Sequence, residues 1–147
     1  MKEQIKVSGK VAFIGQQDAQ NVITISLTDA QVEKIQSLIP NFDEFESTPI
    51  KEVTDKKTGE ISHVFKAHTG FEVNIYETSK NGGCVLSDEI TFDDIGRDSR
   101  VSIYVTMKDT QYKRKEYVTA YLKDIFVIDF VPYEKYNAFE DDTTEEI

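Results

Sequence analysis

Between residues 97 and 123 the chain carries Arg97, Arg100, Lys108, Lys113, Arg114, Lys115 and Lys123, interleaved with Tyr104, Tyr112, Tyr117 and Tyr121. Ammonium and guanidinium groups meet phosphates and release counterions, while phenol rings give unpaired bases a flat surface worth about 1 to 3 kcal/mol per base. A single-stranded nucleic acid needs both, because its base faces are open where a duplex hides them. The same composition also suits a solubilised outer sheet face whose tyrosines pack under loops. Which of the two it is depends on how the backbone presents these side chains.

Periodicity supplies an answer. Val101, Ile103, Val105 and Met107 alternate with Ser102, Tyr104, Thr106 and Lys108, the pattern of a half-buried strand. Asp109-Thr110 predicts a turn, after which Lys115, Tyr117, Thr119, Tyr121 and Lys123 share one face and Val118, Ala120 and Leu122 the other. Paired antiparallel, the two strands would display Tyr104 and Lys108 beside Lys115, Tyr117, Tyr121 and Lys123. Tyr112, Lys113 and Arg114 would lie in the turn region. Residues 125–131 are apolar on both faces, as in the closed part of a barrel, and Pro132 ends that run.

Upstream, residues 5–14 alternate with Ile5, Val7, Gly9, Val11 and Phe13 on one side and Lys6, Ser8 and Lys10 on the other. A polar turn over 15–20 and the β-branched run 22–27 complete a hairpin. Thr28 with Gln31 reads as a helix start, and Val32, Ile35, Leu38 and Ile39 recur at helical spacing until Pro40 stops them. Residues 41–60, with Pro49 and Lys57-Thr58-Gly59, read as a mobile excursion that includes a small hairpin. Residues 61–68 and 71–77 read as strands around a turn at Thr69-Gly70, followed by a flexible 79–83 and a loop over 93–99.

Length and charge set the outer limits. The 147 residues suit one domain, and 39% hydrophobic residues are too many for a disordered chain. No window reaches the roughly 18 apolar residues of a membrane helix, and the start MKEQIKVSGK lacks a signal-peptide core, so a cytoplasmic protein without a membrane partner is expected. Net charge is -10, which alone argues against nucleic acid. Its distribution argues otherwise: residues 97–123 carry +4, residues 28–96 carry -8 and residues 139–147 carry -5. The last stretch, with Phe139, Glu140, Asp141, Asp142, Glu145, Glu146 and Ile147, reads as a solvated tail, either a solubiliser or a competitor for a basic groove. The domain should span 1–133 and the disordered acidic tail 134–147.

The stretch from Asp94-Ile-Gly-Arg-Asp-Ser-Arg to Val105, then Tyr112-Lys-Arg-Lys115, then Tyr117-Val-Thr-Ala-Tyr-Leu-Lys to Asp129, resembles the C-terminal half of bacteriophage single-stranded DNA-binding proteins, as Val7-Ser-Gly-Lys-Val11 does more loosely. The resemblance implies an all-β protein with one helix: a five-stranded OB-fold-like barrel, an added hairpin and an acidic C-terminal tail. It further implies binding of single-stranded DNA without strong sequence preference, in phage replication or recombination, with no catalysis and no cofactor. Lys108, Lys113, Arg114, Lys115 and Lys123 would meet phosphates, Arg97 and Arg100 would stand at the groove edge, and the four tyrosines would stack bases. The tail would recruit replication or recombination proteins, and a homodimer stays open. The rival expectation is an acidic interaction module, a DNA mimic or a viral structural barrel, that binds no nucleic acid.

Other signals are weaker. His63 and His68 fall on opposite faces of a strand, which disfavours a metal site with Cys84. Asp88-Glu89 and Asp93-Asp94 flank a loop and read as solvated pairs, Gly82-Gly83 as a turn, and Cys84 as a buried or idle thiol.

Overall fold

The computed structural model describes residues 1–133; the expected tail lies outside the described residues. Eight strands form one sheet in the order β3-β4-β2-β1-β7-β8-β5-β6: β1 (Lys2–Gln17), β2 (Gln20–Leu27), β3 (Ile50–Thr54), β4 (Ile61–Thr69), β5 (Asn74–Thr78), β6 (Cys84–Leu86), β7 (Arg100–Tyr112) and β8 (Lys115–Asp129). A parallel contact of β4 with β8 at His68↔Tyr121 closes β1, β2, β4, β8 and β7 into a ring. This is the five-stranded OB-fold barrel with one helix that the sequence leads one to expect. β3 widens it beside β4, and the β5–β6 hairpin continues it where β5 runs parallel to the second half of β8.

Alternation explains the ring. Val101, Ile103, Val105 and Met107 of β7 and Val118, Ala120 and Leu122 of β8 are all buried, with Phe65 and Ala67 of β4 and Ile23 and Ile25 of β2 beneath them. Burying one face of each strand against the same interior is the main favourable term, at about 25 cal/mol per Å² of apolar area. Gly9 is needed where β1 crosses β2, because a Cβ there would sit 2.6 Å from the Ser26 carbonyl oxygen. The helix α1 (Asp29–Ser37) starts as expected: the Thr28 hydroxyl accepts from the Gln31 amide at 3.2 Å, and the Gln31 side chain accepts from the Thr28 amide at 2.9 Å.

Five local expectations need correction, in whole or in part. Phe13 was expected on the inner side of β1, but a bulge between Val11 and Phe13 turns it outward, 40% exposed. The turn expected at Asp109-Thr110 lies at Lys113-Arg114, both in the left-handed region with φ of 50° and 67°, so the hairpin continues through four further rungs, from Asp109↔Val118 to Tyr112↔Lys115. The excursion over 41–60 holds a short 3-10 turn (Phe42–Glu44) and strand β3; the small hairpin expected there does form, as β3 pairs antiparallel with β4 from Ile50↔Phe65 to Thr54↔Ile61. β4 and β5 do not pair around Thr69-Gly70; β5 begins at Asn74 and joins β8 instead. Cys84, expected buried or idle, is an exposed free thiol on β6. Among the described residues, no helix is long and apolar enough to cross a membrane.

Candidate nucleic-acid interface

The β7–β8 ribbon carries most of the residues singled out above on one outer face. Its register pairs Lys108 with Thr119, Thr106 with Tyr121, Thr110 with Tyr117 and Tyr112 with Lys115, so even residues of β7 and odd residues of β8 point the same way. Tyr104, Lys108, Tyr112, Lys115, Tyr121 and Lys123 are exposed there, and Tyr117 is half-buried. At the tip, the Lys113 ammonium lies 5.3 Å from the centre of the Tyr112 ring, a cation–π contact, and Arg114 completes the left-handed turn. A bulge between Tyr104 and Val105 leaves Lys123 without a partner across the ribbon, and Asp124 faces Tyr104.

Arg97 and Arg100 are exposed at the far end of the ribbon from Lys113 and Arg114. Arg100 stands opposite Asp129 on β8 and Lys10 on β1. A strand of 13 residues separates the two ends by roughly 40 Å, so these arginines and the turn lie at opposite ends of the ribbon.

The structure adds residues that the sequence reading passed over. On β1, Lys2 pairs with Lys108, Lys6 with Tyr104 and Lys10 with Arg100, which extends the basic face by one strand. A groove of about 340 Å³ runs along it, lined by Gln4, Lys6, Tyr104, Thr106, Lys123 and Asp124. The alternation Lys6, Ser8, Lys10 was visible; that β1 is the neighbour of β7 was not. Around the other side of β8, the register sets Phe13, Thr24 and Lys66 in one row across β1, β2 and β4, and Val22, His68 and Tyr121 in the next. β2 and β4 are the second and third strands of the ring, the pair whose outer face serves oligonucleotide binding in OB folds generally. Tyr121 therefore stands on the ridge between the two basic faces.

The ridge carries one perturbed imidazole. Burial, and then the neighbouring Lys66, hold the His68 imidazole below its ordinary pKa. Its ring meets Tyr121 edge-on at 5.6 Å, and its Nδ1 is buried with no hydrogen-bond partner among the described residues. Where the ribbon leaves the barrel, the Met1 ammonium donates to the Asp109 carboxylate at 2.7 Å, which holds that acid below the usual carboxylate range and cancels its charge. The loop carboxylates do not assemble: Asp94 caps its own turn, accepting from the Thr91 amide at 2.9 Å and the Thr91 hydroxyl at 3.0 Å. Among the described residues no group of three or more His, Cys, Asp or Glu side chains could hold a metal ion.

The class defined by these features is an OB-fold barrel whose exterior joins lysines to aromatic rings. Solved structures of that class are similar to this chain over nearly its whole length. The single-stranded DNA-binding protein from bacteriophage Enc34 superposes with a TM-score of 0.63 at 15% identity, covering 96% of this chain and 89% of its own. Gp2.5, a single-stranded DNA-binding protein encoded by bacteriophage T7, gives 0.60 at 13% identity, covering 100% and 96%. The Enc34 protein in complex with single-stranded DNA gives 0.60 at 15%, covering 89% of each chain. At these identities the likeness establishes the fold. No protein-family profile and no curated sequence matches the chain.

Proposed function

We propose that this protein binds single-stranded DNA without strong sequence preference, as a non-catalytic coat protein of phage replication or recombination in the host cytoplasm. The observation that carries the reading is the outer face of β7 and β8, where Tyr104, Tyr112, Tyr117 and Tyr121 share a surface with Lys108, Lys115 and Lys123. Lysines and the turn residues Lys113 and Arg114 meet backbone phosphates, and the rings stack bases. The Enc34 and T7 proteins of the same fold bear single-stranded DNA-binding in their names, which supports it. The acidic residues from Phe139 to Ile147 engage protein partners once the groove is filled; they lie outside the described residues.

The test is fluorescence anisotropy with labelled oligo-dT and with a duplex of equal length. Five phosphate contacts give a slope of log affinity against log salt of about -3.5, at about -0.7 per phosphate. Preference for the duplex, a flat salt response, or no binding at all would overturn the reading; the last is what a DNA-mimicking acidic module would give.

A further inference from the structure

β3 and the segment 46–49 that precedes it are not strands of the ring, yet they build a cationic notch against it. Lys51 of β3 pairs with Val64, which sets it diagonally from Lys66 on the same outer face of β4. Both lysines are half-buried, and the Lys51 ammonium donates to the Ser47 hydroxyl at 2.5 Å. The two ion pairs among the described residues, Met1 with Asp109 and Lys115 with Glu46, involve neither lysine. Neither ammonium group has a carboxylate within ion-pair distance among the described residues. Burial, and then Lys66, lower the Lys51 pKa, as expected where a like charge is unrelieved.

The notch is coupled to the ribbon. Ser47 bridges Tyr117 in parallel fashion, the Val118 amide donates to the Ser47 carbonyl at 2.9 Å, and the Glu46 amide donates to the Glu116 carbonyl at 2.8 Å. Tyr121 reaches the same surface through His68.

We propose that Lys51, Lys66 and the Ser47 hydroxyl form a phosphate subsite for the backbone of a bound single strand, next to bases stacked on Tyr117 and Tyr121. A phosphodiester there accepts from both ammonium groups and from the hydroxyl, and its charge removes their mutual repulsion. The inference rests on the single-stranded DNA reading and adds to it a contact off the ribbon, made by β3 outside the ring and by its ring neighbour β4.

Salt titrations of oligo-dT binding test it, comparing the unaltered protein with Lys51→Gln/Lys66→Gln and with Lys80→Gln, a lysine in the turn between β5 and β6 at the other edge of the sheet. The double variant should lower the magnitude of the slope by about 0.7, one phosphate equivalent, and Lys80→Gln should leave it unchanged. Lysine side-chain NMR of the unaltered protein should show the Lys51 pKa rising when oligo-dT binds. Melting curves separate a folding defect from a lost contact, since removing two mutually repelling charges should not lower the melting temperature. Binding with an unchanged slope and an unmoved Lys51 overturns the notch and leaves the broader reading intact. Absence of any single-strand binding by the unaltered protein overturns both.

Discussion

The β7–β8 ribbon and the β3–β4 seam are both basic and both border Tyr121, but they are built in opposite ways. The ribbon is a single hairpin whose rungs run from Arg100↔Asp129 to Tyr112↔Lys115, so its face is assembled by neighbours in sequence. The seam gathers Phe13, Thr24, Lys51, Lys66 and His68 from β1, β2, β3 and β4 and needs the closed ring to exist. A hairpin face tolerates damage to the barrel better than a face made by barrel closure does.

Phe65→Ala is the strongest way to press that contrast, since Phe65 is fully buried on the inner side of β4, directly behind the seam. It should cost about 3 to 5 kcal/mol in denaturant unfolding. Amide exchange should accelerate in β3 and β4 more than in the outer rungs of the ribbon; equal acceleration in both would erase the distinction. Next in size, Tyr117→Ala with Tyr121→Ala should weaken single-strand binding by at least about 2 kcal/mol in anisotropy titrations while the fold, followed by circular dichroism, persists. Unchanged affinity would remove both rings from stacking.

The smallest effect is one of pH. Because the folded state holds His68 below its ordinary value of 6.5, the unfolded chain takes up a proton there that the folded chain refuses. Stability contributed in this way is complete above pH 6.5 and is lost as the pH falls from 6.5 to the lowered folded value. His68→Gln should flatten thermal stability across that window; an identical pH profile in the variant would show that the seam does not disfavour the charged imidazole.

The same contrast explains what could be read from sequence. Alternation in 101–107 and 117–123 gives the inward and outward faces of β7 and β8 correctly, because a strand's period is local. The turn was misplaced because Asp109-Thr110 has turn-like composition, while Lys113 and Arg114, which adopt the left-handed conformation, have none. Phe13 was assigned inward because one extra residue at a bulge reverses every side chain beyond it. Lys51 and Lys66 could not be connected by any spacing rule, since only the β3–β4 register and the Ser47 bridge bring that corner together.

The Glu46 amide donates to the Glu116 carbonyl and the Ser47 carbonyl accepts from the Val118 amide, gripping β8 close to the tip of the hairpin. Beyond that grip only the rung Tyr112↔Lys115 and the Lys113-Arg114 turn overhang, about 7 Å of ribbon. A pull along an engaged polymer therefore meets a short cantilever. Its end can bend through a small arc, but load passes almost at once into the barrel wall, so the molecule should resist stripping under tension as one rigid piece.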